Sequence, residues 1–547
     1  MRIMKLTGAE AIARAMKESG VEYFFYVMGG MMIYSQIEEA GVKTVLCRNE
    51  KSATNMADGY ARITKKPTVC YGQHGAAAAI LASMLYEPMY AHSPVVALTG
   101  SYPTMKKDAF SYQECYEMKY FEQTCKFNAD VTDASRLAEY MRTAIQVAVS
   151  GCPGPTHISM HTDMADKVEE MPEVYGNEIF KRVPPFRPRA ESERIIEAAK
   201  LLVKAEDPVV VCGNGVHLSG AYDELRTLVE MLKIPVITNP NGKGCFPEGH
   251  PLYMGVMGTY GRPITNDFVR EADLLFLLGT RAGRMQMEEF TSPQPGTSKI
   301  IHLDIDPAVI GRTYKPDVAL VGDAKATLQG LLSVMNTLVT KPRAKTERLR
   351  KLTRRVKEYE SSVTQLASDS IPIKPQRLMK EVSKFLRSGD IVVSDTGNML
   401  SWTIRFLKLK ETGNVFFPAG GTLGSSFALA IGASFAVGKT QRIIHLTGDG
   451  GMGCNIADLE TAIRYNDQRA PMVTVVNNNS VLGSEDFPFT ELNYAKVAEG
   501  FGCFGIRVER PGEISDALRG ALESGKPAIV DVVTDKKERA PARVRYL

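Results

Sequence analysis

Two residues stand out for chemistry. One is the carboxylate Asp449, set in Gly448-Asp449-Gly450-Gly451; the other is the amide Asn479, closing Asn477-Asn478-Asn479. The backbone carbonyl of Val481, two residues beyond Asn479, adds a third oxygen on the same face. Mg2+ takes oxygen ligands and commonly shares its sphere with phosphate oxygens and water. One carboxylate, one amide and one carbonyl are therefore enough when a diphosphate brings the remaining negative charge. Gly448, Gly450 and Gly451 let backbone N–H groups approach that phosphate at a helix start. Asn478 offers the same amide one position earlier, so it stands as an alternative to Asn479. Alone, Gly-Asp-Gly is an ordinary tight turn.

Two strands and a helix must position these groups. Ile443 to Thr447 and Met472 to Val476 are apolar runs of strand length, and the stretch Asn455 to Tyr465 between them is helical in pattern. In a parallel sheet both strand ends lie at one edge, where such sheets bind ligands. Gly-Asp-Gly followed by one helix, one strand and Asn-Asn resembles the signature of thiamine-diphosphate-dependent enzymes. The branch it is similar to contains the large subunit of acetolactate synthase and related 2-oxo acid decarboxylases. The resemblance extends over essentially the full chain. The Asp449 to Asn479 gap is slightly longer than usual for that branch, with the extra residues assigned to the turn Asp467-Gln468-Arg469-Ala470.

The resemblance carries over to further positions. Glu50 follows the strand-like Lys43 to Cys47 and precedes a helix ending in Ala57-Asp58-Gly59-Tyr60-Ala61-Arg62. By itself it is a helix-start carboxylate favoured by the helix dipole. The family places its catalytic Glu here, hydrogen-bonded to N1′ of the aminopyrimidine ring so that the 4′-amino group favours its imino form. Asn49-Glu50-Lys51 replaces the usual His-Glu-Gln. Gly420-Gly421-Thr422-Leu423-Gly424 resembles the segment that bends the cofactor, with Leu423 as the apolar wedge and the Gly421 carbonyl as acceptor. Gly397 and Asn398 would touch the diphosphate, and Gly29 is a further cofactor contact. His74 stands where relatives carry Gly-Pro-Gly; near the thiazolium it is placed to shuttle a proton or bind a carboxylate. Gln113 matches a family Gln that faces the substrate. The alternative reading of each is a turn or loop residue.

The chain has 547 residues, too many for one core, and divides by pattern into three α/β units. The expected bounds are 1–180 for a pyrimidine-binding domain, 190–340 for a central domain and 365–547 for a diphosphate-binding domain. Each is expected to be a doubly wound parallel sheet. Residues 181–190, KRVPPFRPRA, read as a linker, and 340–360 as a charged linker and helix. Gly279-Thr280-Arg281 and His302 to Pro307 end two central strands, where relatives hold FAD or ADP. The net charge of +4 is spread along the chain and gives no argument for nucleic acid. No apolar run reaches the roughly eighteen residues of a membrane span. The nine cysteines show no paired CxxC spacing and read as apolar residues of a reducing, cytoplasmic compartment.

The expected function is thiamine-diphosphate- and Mg2+-dependent making or breaking of a C–C bond beside a carbonyl, most simply 2-oxo acid decarboxylation with carboligation. Ser480 to Phe487 lacks the Trp- and Gln-containing stretch of acetolactate synthases. A related decarboxylase, or a lyase acting on acyl-CoA compounds, therefore stays open, as does a flavin- or nucleotide-binding member without this activity. The resemblance further implies a homodimer or a dimer of dimers.

Overall fold

The computed structural model describes residues 3–540 apart from positions 32, 295, 412, 414, 415, 419 and 420. Gly420 of the proposed bending segment thus lies outside the described residues. Three six-stranded sheets, parallel throughout, account for most of the strands. A two-stranded antiparallel ribbon joins Ile3–Thr7 to Val168–Pro172. The central strands are continuous apolar runs such as Leu274–Leu278 and Val95–Ser101, buried on both faces because helices cover both sides.

Strand order separates the domains. In the first, Lys43–Leu46 is followed across the sheet by Tyr23–Tyr26, Thr68–Gly72, Val95–Ser101, Thr156–His161 and Asn128–Val131. In the third the order is Phe416–Pro418, Ile391–Ser394, Ile443–Gly448, Met472–Asn478, Ala528–Val533 and Phe504–Val508. Counted within each domain, both read 2-1-3-4-6-5. The central sheet runs Tyr253–Val256, Val236–Thr238, Pro208–Cys212, Leu274–Leu278, Lys299–Asp304, Val318–Val321, which reads 3-2-1-4-5-6. That is the order of dinucleotide-binding sheets. The three domains share a layout by sequence pattern, but only the first and third share a topology.

The first and third domains also share a core. Helix Glu50–Thr64 crosses helix Ser425–Phe435 at backbone contact: a Cβ added at Gly59 would lie 2.0 Å from the Leu429 carbonyl oxygen, and one at Gly432 would lie 2.0 Å from that of Met56. Phe25, Met56 and Tyr60 from one domain pack with Phe427, Leu429 and Phe435 from the other in a single apolar cluster. The 181–190 segment is pinned to the central domain, Arg187 donating to Asp323 and to the Ser219 carbonyl. The charged stretch becomes helix Glu347–Leu366, which buries only Leu349 and Leu352. The helix expected over Asn455 to Tyr465 is broken: Asp449–Cys454 and Leu459–Arg464 are helical, with a tighter turn at Ile456–Asp458 between them.

Candidate active site

The loops carrying Gly29, His74, Gly397 and Asp449 leave the first and third sheets at their switch points, where strand order reverses, and those carrying Glu50 and Asn479 leave the next strand outward. In the third domain Gly448 ends its strand and caps the short helix beginning at Asp449. Gly448 is in register with Asn477, so Asp449 and Asn479 leave neighbouring strand ends together. Asp449 is buried. One carboxylate oxygen accepts from the Gly450 N–H at 2.8 Å and the other from the Ser480 N–H at 2.6 Å. Burial pushes its carboxyl above the usual range. Among the described residues no Lys or Arg pairs with it. Asn478 is turned away: its amide donates to the Leu492 carbonyl and to Asp531, each at 2.9 Å. Asn479 Oδ1 meets the Val481 N–H at 3.4 Å. Val481 is buried in a loop closed by Leu482 N–H to Phe487 O and Phe489 N–H to Ser480 O.

Three loops meet on Asp395, a residue that sequence reasoning treats only as part of a turn. Its buried carboxylate accepts from the Thr396 N–H at 2.8 Å, the Gly424 N–H at 3.1 Å and the Thr447 hydroxyl at 2.9 Å. Burial raises its pKa to about 6. Gly451 passes so close that an added Cβ would lie 2.0 Å from Asp395 Oδ2. Gly424 has φ +79°, and a Cβ there would meet that of Cys454 at 2.4 Å. These two glycines are therefore required by packing, and the Asp449 loop, the Asp395 loop and the 421–424 loop form one rigid edge. Gly397 precedes helix Asn398–Phe406, and Asn398 donates to the Gly483 carbonyl at 2.8 Å. Gly421 and Leu423 are exposed at the rim, and the Thr422 N–H donates to Glu87 of the first domain at 3.0 Å.

In the first domain Glu50 opens helix Glu50–Thr64, capped by the Asn49 side chain on the Ser52 N–H at 2.8 Å. Its stem lies over Gly72, where an added Cβ would come within 3.0 Å of Glu50 Cγ. The neighbouring Lys51 donates to the Cys454 carbonyl at 3.0 Å. Gly29 is held by two tyrosines: the Tyr71 hydroxyl donates to its carbonyl at 2.5 Å, and its N–H donates to the Tyr34 hydroxyl at 3.0 Å. His74 is 6% exposed, and its Nε2 lies 2.7 Å from the Tyr112 carbonyl. A carbonyl only accepts, so Nε2 carries the proton, and Nδ1 is left buried without a partner. Gln113 has φ +56° and is exposed, its backbone crossing Gly75.

Beneath that crossing is Glu117, which sequence reasoning misses. It is 4% exposed and accepts from the Gly75 N–H and the Thr99 hydroxyl, both at 3.0 Å. Thr99 continues to His157 at 2.9 Å, and His157 to Asn128 at 2.7 Å. Burial raises the Glu117 carboxyl to about 7. Its segment, Thr104 to Phe121, has no hydrophobic period that would have marked it as inward-facing.

Within one chain no described contact links Glu50 to Asp449, Asn479 or Val481. Both edges are flanked by exposed apolar side chains: Met105, Phe110 and Tyr112 beside the first, Leu482, Phe487 and Phe489 beside the third.

The fold and these two edges define a thiamine-diphosphate enzyme, and comparison with known proteins agrees. Family models for the N-terminal, central and C-terminal domains of thiamine pyrophosphate enzymes match residues 6–129, 195–331 and 395–532. The chain is 34% identical to a probable acetolactate synthase large subunit of Methanocaldococcus jannaschii, over 98% of this chain and 93% of that one. It is 32% identical to the corresponding protein of Methanococcus aeolicus, over 97% and 92%. It is 26% identical to the isozyme 3 large subunit of Escherichia coli, over 99% and 97%. The chain belongs to the thiamine-diphosphate-dependent enzymes, in their acetolactate-synthase-like branch, and uses thiamine diphosphate. None of its described helices is long and apolar enough to cross a membrane.

Proposed function

We propose that the chain decarboxylates one 2-oxo acid and joins the remaining acyl unit to a second, on thiamine diphosphate held with Mg2+. The observation that carries this reading is the pairing of Asp449 and Asn479 on adjacent strand ends, at the start of a short helix that no side chain caps. The donor set suits Mg2+: a buried carboxylate without a cationic partner, an amide oxygen and the Val481 carbonyl, all oxygen. Among the described residues no three His, Cys, Asp or Glu side chains converge on one point. An ion at Asp449 would then draw its remaining ligands from the diphosphate and water. The engaged amide of Asn478 favours Asn479 as the ligand. Gly397, Asn398, Gly448, Gly450 and Gly451 would face the diphosphate.

When bound, thiamine diphosphate supplies a carbon nucleophile and an electron sink beside a carbonyl. The chain's own residues prepare that chemistry. Glu50 would hold a proton on its carboxyl toward the pyrimidine N1′. Leu423 and the Gly421 carbonyl would enforce the bend, and Gly29 would border the ring. The buried Nδ1 of His74, an acceptor without a donor, is placed to take a hydrogen bond from substrate, and Gln113 borders the same turn. The first domain, near 1–180, would thus take the pyrimidine and the third, near 365–547, the diphosphate. Because the two edges are not joined within one chain, a second copy would complete each site, with the exposed apolar side chains covered between copies. A homodimer or a dimer of dimers follows.

The central domain, near 190–340, has a crevice of about 230 Å3 at its switch point. There Gly213 and Gly215 pack on Gly279, with Arg281, Asp304 and Asp306 at the mouth. We assign it to the nucleotide part of FAD or to ADP. The visible absorption of the purified protein separates these two.

A substrate panel of pyruvate, bulkier 2-oxo acids and oxalyl-CoA tests the reaction. CO2 release with formation of a coupled hydroxy-oxo acid from pyruvate is expected. Turnover of oxalyl-CoA with none of the 2-oxo acids overturns the reading.

A further inference from the structure

Between helix Glu347–Leu366, the Glu248–Met254 loop of the central domain and helix Pro375–Phe385 of the third lies a cavity of about 600 Å3. None of its lining residues belongs to the candidate active site or to the central crevice. Its charge is one-sided. Seven Lys and Arg side chains line it against two glutamates, in a chain whose 66 basic and 62 acidic residues nearly balance. Of the two acids, Glu248 is committed to the buried Lys243 at 2.6 Å and to the Leu409 N–H at 3.1 Å. Glu360 is shared between Arg262 at 3.5 Å and Lys408 at 3.3 Å. Among the described residues, no carboxylate pairs with Lys357, Lys380 or Lys410.

Arg262 is the decisive group. It is 6% exposed, its Nε has no acceptor, and its guanidinium stands 5.7 Å from the centre of the Tyr359 ring. A buried cationic donor left unsatisfied is costly, and like charges gathered around it raise that cost. An anion in the cavity removes both penalties. The lining also includes the apolar side chains Val356, Val363 and Phe406 beside the Tyr359 ring. The volume falls in the range of small-molecule sites.

We propose that this cavity binds a phosphorylated small molecule of nucleotide size, with its phosphates on Arg262, Lys380 and Lys357 and its aromatic or apolar body against Tyr359 and Phe406. The assignment is independent of the reaction proposed above. It rests on three elements that tie the central domain to the third, so such a ligand would bridge them.

The test is calorimetric titration of the full-length protein, saturated beforehand with thiamine diphosphate and Mg2+ so that the diphosphate edge is filled. ATP is the probe, with tripolyphosphate and adenosine as its two halves. The titrations use the Arg281→Ala variant, chosen to weaken any nucleotide binding at the proposed central crevice, and are repeated with that crevice presaturated with ADP. ATP is expected to bind once per chain, and each half at least about tenfold more weakly. Lys380→Glu and Lys357→Glu, both outside the core, should each weaken ATP by about tenfold or more, the cost of a charge-assisted contact. Their denaturant midpoints should stay at the parent value. The proposal is overturned if millimolar ATP gives no binding, if the two lysine variants bind as the parent does, or if tripolyphosphate binds as tightly as ATP.

Discussion

The first and third domains have the same strand order, yet their switch-point edges are built on opposite principles. The third-domain edge is held by buried carboxylates. Asp395 gathers three loops and Asp449 two backbone N–H groups, and each of their carboxylate oxygens accepts at least one hydrogen bond. The first-domain edge is held by hydroxyls and by a carboxyl that titrates near neutrality: Tyr34 and Tyr71 on Gly29, Glu117 on Gly75. It leaves the Nδ1 of His74 uncommitted. One edge concentrates buried carboxylate oxygens that a cation can answer. The other keeps adjustable proton positions, at Glu117 and on the two tyrosine hydroxyls. A shared topology therefore places loops, while the residues at the switch point decide what they hold.

The largest effect should come from breaking the charged edge. Asp449→Ala removes the proposed ligand itself, so Mg2+-dependent affinity for thiamine diphosphate should fall by more than the ~10- to 100-fold that supporting residues cost. Far-ultraviolet circular dichroism should be unchanged. Parent-like affinity in a Mg2+ titration would remove the metal from this edge. Next comes the first-domain carboxyl. Glu50→Gln keeps the shape but not the proton, so kcat should drop by about 10²- to 10⁴-fold, with cofactor affinity far less affected. Exchange of the C2 proton of bound cofactor in deuterated water, without substrate, isolates this step. Exchange at the parent rate reduces Glu50 to a helix-start carboxylate.

A smaller effect probes rigidity. Gly451→Ala drives a methyl group into Asp395, and overpacking of this kind costs about 1–3 kcal/mol. Cofactor affinity should fall with the denaturant midpoint, because the same contact aligns both loops. Loss of stability with unchanged affinity would uncouple Asp395 from the site. The smallest effect concerns Glu117. A carboxyl raised by burial from an ordinary 4.5 to about 7 stabilises the fold while protonated. That contribution is fully present below pH 4.5 and is lost as pH rises through 7. Glu117→Gln mimics the protonated form at every pH. Unfolding titrations from pH 5 to 8 should therefore show the parent losing ground to the variant as pH rises. Parallel curves would remove Glu117 as the titrating group of this edge.

The strands and the charged edge were legible in the sequence because they rest on local signals. Pro208–Cys212, Leu274–Leu278 and Lys299–Asp304 are apolar runs bounded by Gly, Pro or Asp, and their observed limits match the pattern. Asp449 and Asn479 follow from one strand-helix-strand spacing. Asp395 and Glu117 were not legible as hubs, since their importance lies in partners such as Gly424 and Thr99 that only the fold brings near. The break at Ile456–Asp458 was likewise hidden, because Asp458 is drawn onto the Ser52 hydroxyl of the other domain at 2.5 Å, a tertiary contact that overrides the helical pattern. The change of topology in the central sheet has no sequence-local trace either, as strand order depends on crossovers and not on composition.

The apolar cluster shared by helices Glu50–Thr64 and Ser425–Phe435 has a consequence for how the chain is made. A ribosome releases the first helix long before its partner, which follows roughly 360 residues later. At ~5–20 residues per second, the face carrying Met56 and Tyr60 waits roughly 20 to 70 s for its cover. During that interval the nascent first domain presents a greasy, glycine-notched surface to its surroundings. Chaperone retention should end when the codons for Phe427 to Phe435 have been translated and their product has left the exit tunnel, not when the first domain is complete.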